Sequence, residues 1–393
     1  MHALLQQANA RADALVALRR ELHRHPELAY QEHRTAATIE SHLVKLGFRL
    51  RTGVARTGII AELGQGGRLA AIRADMDALP IQETNPADYR STVPGVMHAC
   101  GHDAHMAMLI GAAHLVADAA AAGTVQGRIR LLFQPAEEAS DQENKSGAVR
   151  MIEAGAMDDV DAVFGVHIGA HLEAGKAFVR AGPYMAGTDT FIATVYGRAA
   201  HAARPQEGID AIVLAAHVVL ACQSIISRRI SPSAAAVLTI GVIEGGVAEN
   251  VIAGRVRLRG TLRYYDERVR QSLHQELRAA VGLADALGGR GELELRMGYP
   301  PVVNDASVTE LARAAALDVL GPEGIAEYEP MMTAEDFSFY QRKAPGCFFW
   351  LGAALEPPRE HHDSNFDIDE RVLPKGAALL AACALRFLQE TRP

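Results

Sequence analysis

The sequence predicts an α/β fold with a mixed sheet, into which a ferredoxin-like α+β domain is inserted. Helical and strand patterns alternate along residues 1–183, and the alternation resumes after residue 300. Between these segments, residues 184–299 follow the order β-α-β-β-α-β, which is the split unit of ferredoxin-like domains. We therefore predict one discontinuous domain, residues 1–183 and 300–393, and an inserted domain, residues 184–299.

The hydrophobic pattern predicts the individual elements. In the discontinuous domain it predicts helices over residues 10–25, 34–46, 103–117 and 307–320, and strands over residues 58–63, 68–73, 127–133 and 161–167. In the inserted domain it predicts strands over residues 190–196, 235–242, 256–262 and 291–297, and helices over residues 209–227 and 267–283. The strands over residues 58–63 and 68–73 flank the turn Gly64–Gly67, so we expect them to pair with each other.

The composition excludes several classes of protein. Hydrophobic residues make up 49% of the 393 and charged residues 22%, so the chain can bury a core and is not expected to be disordered. The net charge is −8 and no basic run is present, which argues against a nucleic-acid partner. The longest apolar stretch, Ala211–Cys222, is interrupted by His217 and is too short to cross a bilayer. Four scattered cysteines and an N-terminus unlike a signal peptide favour a cytoplasmic protein without a membrane partner.

The segment MHACGHDAH, residues 97–105, is the first candidate for a functional site. It places Cys100 and His102 two positions apart on a loop before a helix. A thiolate and an imidazole at this spacing can bind one metal ion. Cysteine is also common in protein cores, so a buried thiol beside a histidine at a helix N-terminus explains the same residues. This pair alone leaves both interpretations open.

Acidic and imidazole side chains also follow the predicted strands. Glu137 and Glu138 come directly after an apolar strand that stops at Pro135, and His167 ends the next strand. Ligand sites in α/β sheets lie at such strand ends, where one carboxylate can bind metal while its neighbour acts as a base. The alternatives are a solvated acidic turn and a structural histidine.

Two further segments extend this pattern. Asp75 and Asp77 follow another strand, where they can cap a turn or orient a metal-bound histidine. The polar segment HHDSNFDIDE supplies His361 and His362. Together these side chains suit one or two divalent ions beside a carboxylate base, and no HExxH, GxSxG, P-loop or Cys-x-x-Cys motif suggests another chemistry.

Ten segments in this order resemble the aminoacylase/carboxypeptidase metallopeptidases. They are HRHPELAYQE, RADMDALPIQE, MHACGHDAHMAMLIGAA, FQPAEE, GVHIG, GRAAHAARPQEGIDAI, AENVIAG, GTLRYYD, TAEDFSFY and HHDSNFDIDE. The branch they resemble contains hippurate hydrolases, bacterial N-acyl-L-amino-acid amidohydrolases and plant auxin-conjugate hydrolases. The resemblance runs from about residue 19 to residue 380.

This resemblance implies a metallopeptidase catalytic domain, an inserted lid or dimerisation domain, and two divalent ions (zinc, manganese or cobalt) in each subunit. The implied metal ligands are Cys100, His102, Glu138, His167 and His362. His362 is chosen over His361 because it precedes Phe366 by four residues, as in the family pattern. Glu137 is implied as the general base that acts on a metal-bound water.

The resemblance also implies hydrolysis of the amide bond of N-acyl amino acids, such as N-acetyl or N-benzoyl amino acids. Three residues of the inserted domain are implied to contact the substrate: His201, in its own subunit or in that of a dimer partner, Asn250 and Arg263. An Arg can bind the substrate carboxylate through two hydrogen bonds, although Arg263 in a local surface ion pair is an equal alternative. His201 has the alternative role of capping a helix.

Two departures from the family pattern leave details open. The wider family has His-x-Asp where this chain has Asp75 and Asp77, so the identity of the metal stays open. The polar loop 139–148 replaces a glycine-rich run and could alter the choice of substrate.

Three functional assignments compete: an N-acyl-amino-acid hydrolase, a dipeptidase or carboxypeptidase with the same site, and a non-catalytic protein that binds amino-acid conjugates. A small-molecule substrate and a homo-oligomer formed through the inserted domain are the expected partners.

Overall fold

The structure is a computed structural model that describes residues 2–390, with the side chain of His2 left out. The chain divides into two compact units. Unit 1 comprises Met1–Gly182, Val303–Glu329 and Asp336–Pro393. Unit 2 comprises Pro183–Val302 and Pro330–Glu335.

Both units contain helices and strands, as predicted. The α-helices of the described residues are α1 (His2–Asn9), α2 (Ala12–Arg24), α3 (His33–Lys45), α4 (His102–Ala121), α5 (Gly147–Glu153), α6 (Ala211–Ser224), α7 (Glu267–Ala286), α8 (Ala306–Leu320), α9 (Phe337–Gln341) and α10 (Leu373–Gln389). The strands are β1 (Arg49–Val54), β2 (Gly58–Gly64), β3 (Leu69–Asp75), β4 (Arg128–Gln134), β5 (Ala162–Gly169), β6 (Ala177–Phe178), β7 (Gly182–Met185), β8 (Gly187–Tyr196), β9 (Ala200–His201), β10 (Ala236–Gly245), β11 (Val251–Ile252), β12 (Arg255–Tyr264), β13 (Arg290–Met297), β14 (Val302–Asn304), β15 (Ile325–Ala326) and β16 (Gly346–Gly352).

Unit 1 is built on a mixed sheet in the order β1-β2-β4-β3-β5-β16-β6-β15. Strands β4, β3, β5 and β16 are mutually parallel neighbours. The expected pairing of β2 with β3 is wrong, because β4 lies between them, antiparallel to β2 and parallel to β3. The turn at Gly64–Gly67 therefore joins two strands that are separated by a third, more distant in sequence.

The core of unit 1 surrounds the central strands. Every residue of β3, β5 and β16 is buried, which explains why their sequences are largely apolar. Helix α4 is buried along most of its length and packs against α10. Because α4 is covered on nearly all sides, its N-terminal residues are held rigidly beside the ends of the parallel strands.

Unit 2 has the predicted ferredoxin-like arrangement. Strands β8, β10, β12 and β13 form an antiparallel sheet in the order β10-β12-β8-β13. Helices α6 and α7 follow β8 and β12, which gives the chain order β-α-β-β-α-β. Side chains of both helices and of the sheet, including Phe191, Leu214 and Leu273, share one apolar core.

Within residues 2–390, three helical stretches are long and apolar enough to cross a membrane, by length and composition only: His102–Ala121, Ala211–Arg229 and Glu370–Gln389. The most apolar windows of the first and third are 67% and 83% buried within the protein, so packing accounts for their apolar character. The second stretch is only 33% buried. Ala211–Cys222 was expected to be too short to cross a bilayer, but the helical turns continue through residues 225–229 and the whole stretch has 19 residues.

Candidate metal centre

The carboxyl ends of neighbouring parallel strands bring the candidate ligands of unit 1 together. Strand β3 ends at Asp75, β4 leads into Glu137 and Glu138, and β5 carries His167 near its end. Because β4, β3 and β5 are adjacent and parallel, these side chains lie at one edge of the sheet.

Cys100 and His102 reach the same edge from the N-terminus of α4. Between them Gly101 has φ +90°, and a Cβ atom there would lie 2.9 Å from Cγ2 of Ile168, so the tight turn requires glycine. The Nδ1 of His102 lies 2.8 Å from the carbonyl oxygen of Asp77. A carbonyl oxygen can only accept, so Nδ1 carries the proton, and Nε2 is the ring nitrogen suited to bind a metal.

The predicted ligands converge in overlapping groups whose donor atoms lie within 4.8 Å of one another. These groups are Cys100 with His102 and His167, Cys100 with Glu138 and His362, and His102 with Glu137 and Glu138. Individual distances are 3.5 Å from Sγ of Cys100 to Nε2 of His167 and 3.0 Å from Nε2 of His362 to Oε1 of Glu138. The structure thus places all five predicted ligands and the predicted base in one cluster.

The donor atoms fit a divalent cation. Within the described residues, Nε2 of His102 is fully buried and has no hydrogen-bond partner, which is costly unless another group occupies that direction. Burial first, and then the carboxylates of Glu138 and Glu137, raise the pKa of the Cys100 thiol well above its ordinary value. A cation among these groups would offset their negative charge, and the mixture of thiol, imidazole and carboxylate suits zinc, manganese or cobalt.

Adjacent His361 and His362 have different surroundings. The Nε2 of His361 accepts the N–H of Ala170 at 3.1 Å, and burial, followed by the neighbouring His171, lowers the pKa of His361 to about 3. His362 has φ +61°, and its main-chain N–H donates to the carbonyl of Ala99 beside the thiol. His362 is therefore the member of the pair whose imidazole faces the other candidate ligands.

Asp77 holds the turn that carries Glu137 and Glu138. Its Oδ1 accepts the N–H of Glu137 and its Oδ2 accepts the N–H of Glu138, both at 3.0 Å. Asp75 acts differently, since its Oδ1 lies 2.6 Å from Nδ1 of His105. The sequence left both carboxylates with two possible roles, capping a turn or orienting a histidine. In the structure, Asp77 caps the acidic turn and Asp75 contacts His105.

Sequence reasoning missed several residues around this cluster. Glu32 accepts the main-chain N–H of Ala136, and His105 accepts the N–H of Ile168 next to His167. The fully buried Arg73 bonds Asp75 at 2.6 Å and Asp336 at 2.9 Å. The sequence did hold one signal for Arg73, a charged residue inside an apolar strand, because a buried charge needs a partner.

The predicted substrate contacts lie in unit 2. His201 is on β9, which pairs with β11. The carbonyl of Asn250, just before β11, accepts the N–H of Ala202 at 3.0 Å, so His201 and Asn250 are neighbours. Both are exposed. Arg263 lies on β12, half-buried, and burial lowers its pKa.

The polar loop 139–148 is held by its own charged residues. Asp141 binds the guanidinium of Arg150 and accepts the main-chain N–H of Glu143 and of Lys145. The carbonyl of Lys145 accepts the hydroxyl of Tyr30 at 2.8 Å. The loop therefore has a defined conformation next to the acidic turn.

Comparisons with known proteins agree with this geometry. The sequence profile of peptidase family M20/M25/M40 matches residues 71–386. The IAA-amino acid hydrolase ILR1-like 4 of Arabidopsis thaliana is 38% identical over 97% of this chain and 87% of its own length. The N-acetyl-L-cysteine deacetylase of Bacillus subtilis is 38% identical over 95% of this chain and 88% of its own, and thermostable carboxypeptidase 2 of Saccharolobus solfataricus is 38% identical over 95% of each.

A solved structure extends the agreement to the fold. The Bacillus subtilis YXEP protein, described as a dinuclear metal binding peptidase from the M20 family, is 33% identical with a TM-score of 0.84. The match covers 97% of this chain and 99% of that one. The fold class is therefore confirmed, and the non-catalytic alternative is set aside. The chain belongs to peptidase family M20/M25/M40 and is a metal-dependent amidohydrolase.

Proposed function

We propose that this protein hydrolyses the amide bond of N-acyl amino acids and releases a carboxylic acid and a free amino acid. The observation that carries the proposal is the convergence of five candidate metal ligands beside the buried carboxyl group of Glu137. Relatives named as an IAA-amino acid hydrolase and an N-acetyl-L-cysteine deacetylase support this substrate class.

Five side chains would hold two divalent ions: Cys100, His102, Glu138, His167 and His362. When bound, such ions supply the Lewis acidity that activates water and polarises the scissile carbonyl. The thiol and imidazoles favour zinc, whereas the carboxylate also suits manganese or cobalt.

Glu137 is the proposed general base. It takes a proton from the attacking water and returns it to the leaving nitrogen, so the amine departs as a neutral group. The turn that carries Glu137 is held by Asp77, which fixes the base relative to the ligand at the next position. His201 is proposed to donate a hydrogen bond to the oxyanion of the tetrahedral intermediate.

Arg263 is proposed to bind the substrate carboxylate. It is half-buried and makes no ion pair within the described residues, although burial lowers its pKa and thus disfavours the charged form. The lack of an ion pair argues against the alternative that Arg263 belongs to a local surface ion pair. A substrate carboxylate would supply the missing countercharge.

A substrate panel tests both the reaction and Arg263. N-acetyl and N-benzoyl amino acids should be hydrolysed, their methyl esters should lose about tenfold or more in kcat/KM, and the R263M variant should lose the preference for the acid over the ester. The matched control is R259M, on the same strand and exposed. Equal turnover of acid and ester by the wild-type enzyme would contradict the role of Arg263.

The second candidate function is peptide-bond cleavage by the same site. It is supported by the similarity to thermostable carboxypeptidase 2 of Saccharolobus solfataricus. Adding dipeptides and N-blocked peptides to the substrate panel separates the two functions, because a dipeptidase or carboxypeptidase should prefer these substrates to N-acetyl amino acids.

The inserted domain is proposed to form a homo-oligomer through α6 and β10. Leu220 of α6 and Ile243 of β10 are 69% and 61% exposed, and both line an apolar groove of about 530 Å³. An exposed apolar patch of this kind marks a protein–protein contact. A second copy of the same chain would bury it symmetrically.

We expect L220E to convert a wild-type dimer into a monomer, because the new carboxylate would lose its hydration in the interface. Light scattering coupled to size-exclusion chromatography measures this directly. L317E is the matched control, since Leu317 is 47% exposed on α8 of unit 1. A monomeric wild type, or a dimeric L220E, would refute the assignment of this surface.

A further inference from the structure

The acidic turn after β4 has a strained backbone. Ala136, directly before the proposed base, has φ +49°, a conformation that residues with a Cβ atom rarely adopt. Its carbonyl accepts the N–H of Gly147 at 2.8 Å, and its own N–H donates to Oε1 of Glu32 at 3.0 Å. Both sides of this residue are therefore fixed by hydrogen bonds to distant parts of the chain.

Glu32 is itself fixed by three donors. It is fully buried directly before α3. Its Oε1 also accepts the N–H of Tyr30 at 3.0 Å, and its Oε2 accepts the hydroxyl of Thr57. A buried carboxyl group with three donors has little freedom to move, so it presents a rigid acceptor to the turn.

We propose that Glu32 is a positioning residue for the general base, acting through its hydrogen bond to the main-chain N–H of Ala136. Two carboxylates then accept the main-chain N–H groups of the turn. Glu32 accepts the N–H of Ala136, and Asp77 accepts the N–H groups of Glu137 and Glu138. This inference rests on the proposed role of Glu137 as the base.

Loss of this acceptor would leave the buried N–H of Ala136 unsatisfied. The backbone of Ala136 would then relax toward negative φ. This change would rotate the peptide plane between Ala136 and Glu137 and displace the carboxyl group of Glu137. Displacement by about 1 Å from the productive position costs about a hundredfold in rate. Substrate affinity should change little, because the proposed carboxylate contact is on unit 2.

The hydrogen bond can be separated from the charge of Glu32. In E32Q, the amide oxygen can accept the N–H groups of Tyr30 and Ala136, while the amide nitrogen donates to Oγ1 of Thr57. Burial first, and then the charge of Asp77, raise the pKa of Glu32 to about 7, so a neutral group at this site is already accessible near neutral pH. In E32D the charge remains but the acceptor is withdrawn by one methylene group.

The experiment compares E32Q, E32D and E32M with a control, E27M, in the metal-loaded enzyme. Glu27 also accepts two main-chain N–H groups, those of Arg34 and Thr35, but does not contact the acidic turn. We expect kcat to fall about a hundredfold in E32D and E32M with KM changed less than about threefold. E32Q should keep kcat within about threefold of wild type, and E27M should lower the melting temperature while leaving kcat near wild type.

A double-mutant cycle excludes a general loss of structure. In the E137Q background, E32D should change the residual rate less than about twofold, because a base that is absent cannot be misplaced. An equal loss in both backgrounds, an E32D enzyme with wild-type kcat, or an E32Q enzyme as slow as E32D would each overturn the role of Glu32. Failure of the proposed function is distinct, since it would appear as an active E137Q enzyme.

Discussion

Replacement of Glu137 by Gln should lower kcat by about 10²–10⁴-fold, the usual contribution of a general base. Glutamine has nearly the same shape, and the main-chain N–H of residue 137 would still donate to Asp77. The amide cannot take the proton of the attacking water, so turnover fails while the cluster of ligands is preserved. The measurements are kcat on the preferred acyl amino acid and metal content by mass spectrometry.

Two matched variants sharpen this result. E138Q should lose metal as well as activity. Oε1 of Glu138 lies 3.0 Å from Nε2 of His362 within the ligand cluster, and a neutral amide binds a cation more weakly than a carboxylate does. E143Q, in the exposed part of the neighbouring loop, should change neither. An E137Q enzyme that retained more than about a tenth of wild-type kcat, a loss under ~1.4 kcal/mol, would show that another group is the base.

Removal of the divalent ions should abolish turnover and lower the thermal stability of the protein. Without a cation, the carboxyl groups of Glu137 and Glu138 lie close to each other, and Glu138 also lies beside the thiol of Cys100, in a largely buried cluster. Dialysis against a chelator, followed by addition of zinc, manganese or cobalt one at a time, measures the loss and the recovery. The ion that restores the highest kcat identifies the best cofactor among the three.

Metal binding should also release protons and weaken as the pH falls. The pKa of the Cys100 thiol is raised by burial and by nearby carboxylates. Burial by itself lowers the pKa of His102, but Asp75 and Asp77 raise it to about 10. Both groups are therefore protonated near neutral pH in the metal-free protein, and both must lose a proton to act as ligands.

Calorimetric titrations in two buffers of different ionisation enthalpy count the released protons. C100S should bind metal more weakly than wild type, whereas C383S should bind it normally, since Cys383 is a buried thiol in the core of unit 1. Metal binding without proton release, or equal losses in the two variants, would contradict the assignment of the thiol as a ligand.

The fold class and most elements followed from the sequence, but strand order did not. Apolar periodicity located β2 and β3, since burial leaves a local record in each strand. Their pairing was wrong because β4, more than fifty residues further on, lies between them. Which strand occupies the space between two others depends on the packing of the whole sheet, and no turn sequence encodes it.

The candidate site divides in the same way. The candidate ligands and base, including Cys100, His102, Glu137 and His167, were recognisable because their residue types are unusual at the ends of apolar strands and helices. Glu32 was not, because an acidic residue before a helix is ordinary and its acceptor role involves Ala136, 104 positions away. Hydrogen bonds between distant segments leave no periodic trace in either segment.

Local sequence thus determined which side chains are candidates for metal ligands and for the base, since the ability to bind a metal or accept a proton is a property of the individual side chain. The tertiary structure decided their mutual distances, the different contacts of His361 and His362, and the use of Asp77 and Glu32 to hold the acidic turn. The physical reason is that parallel strands bring residues far apart in the chain to one edge of a sheet. Only there do burial and hydrogen bonding select which of them face a common point.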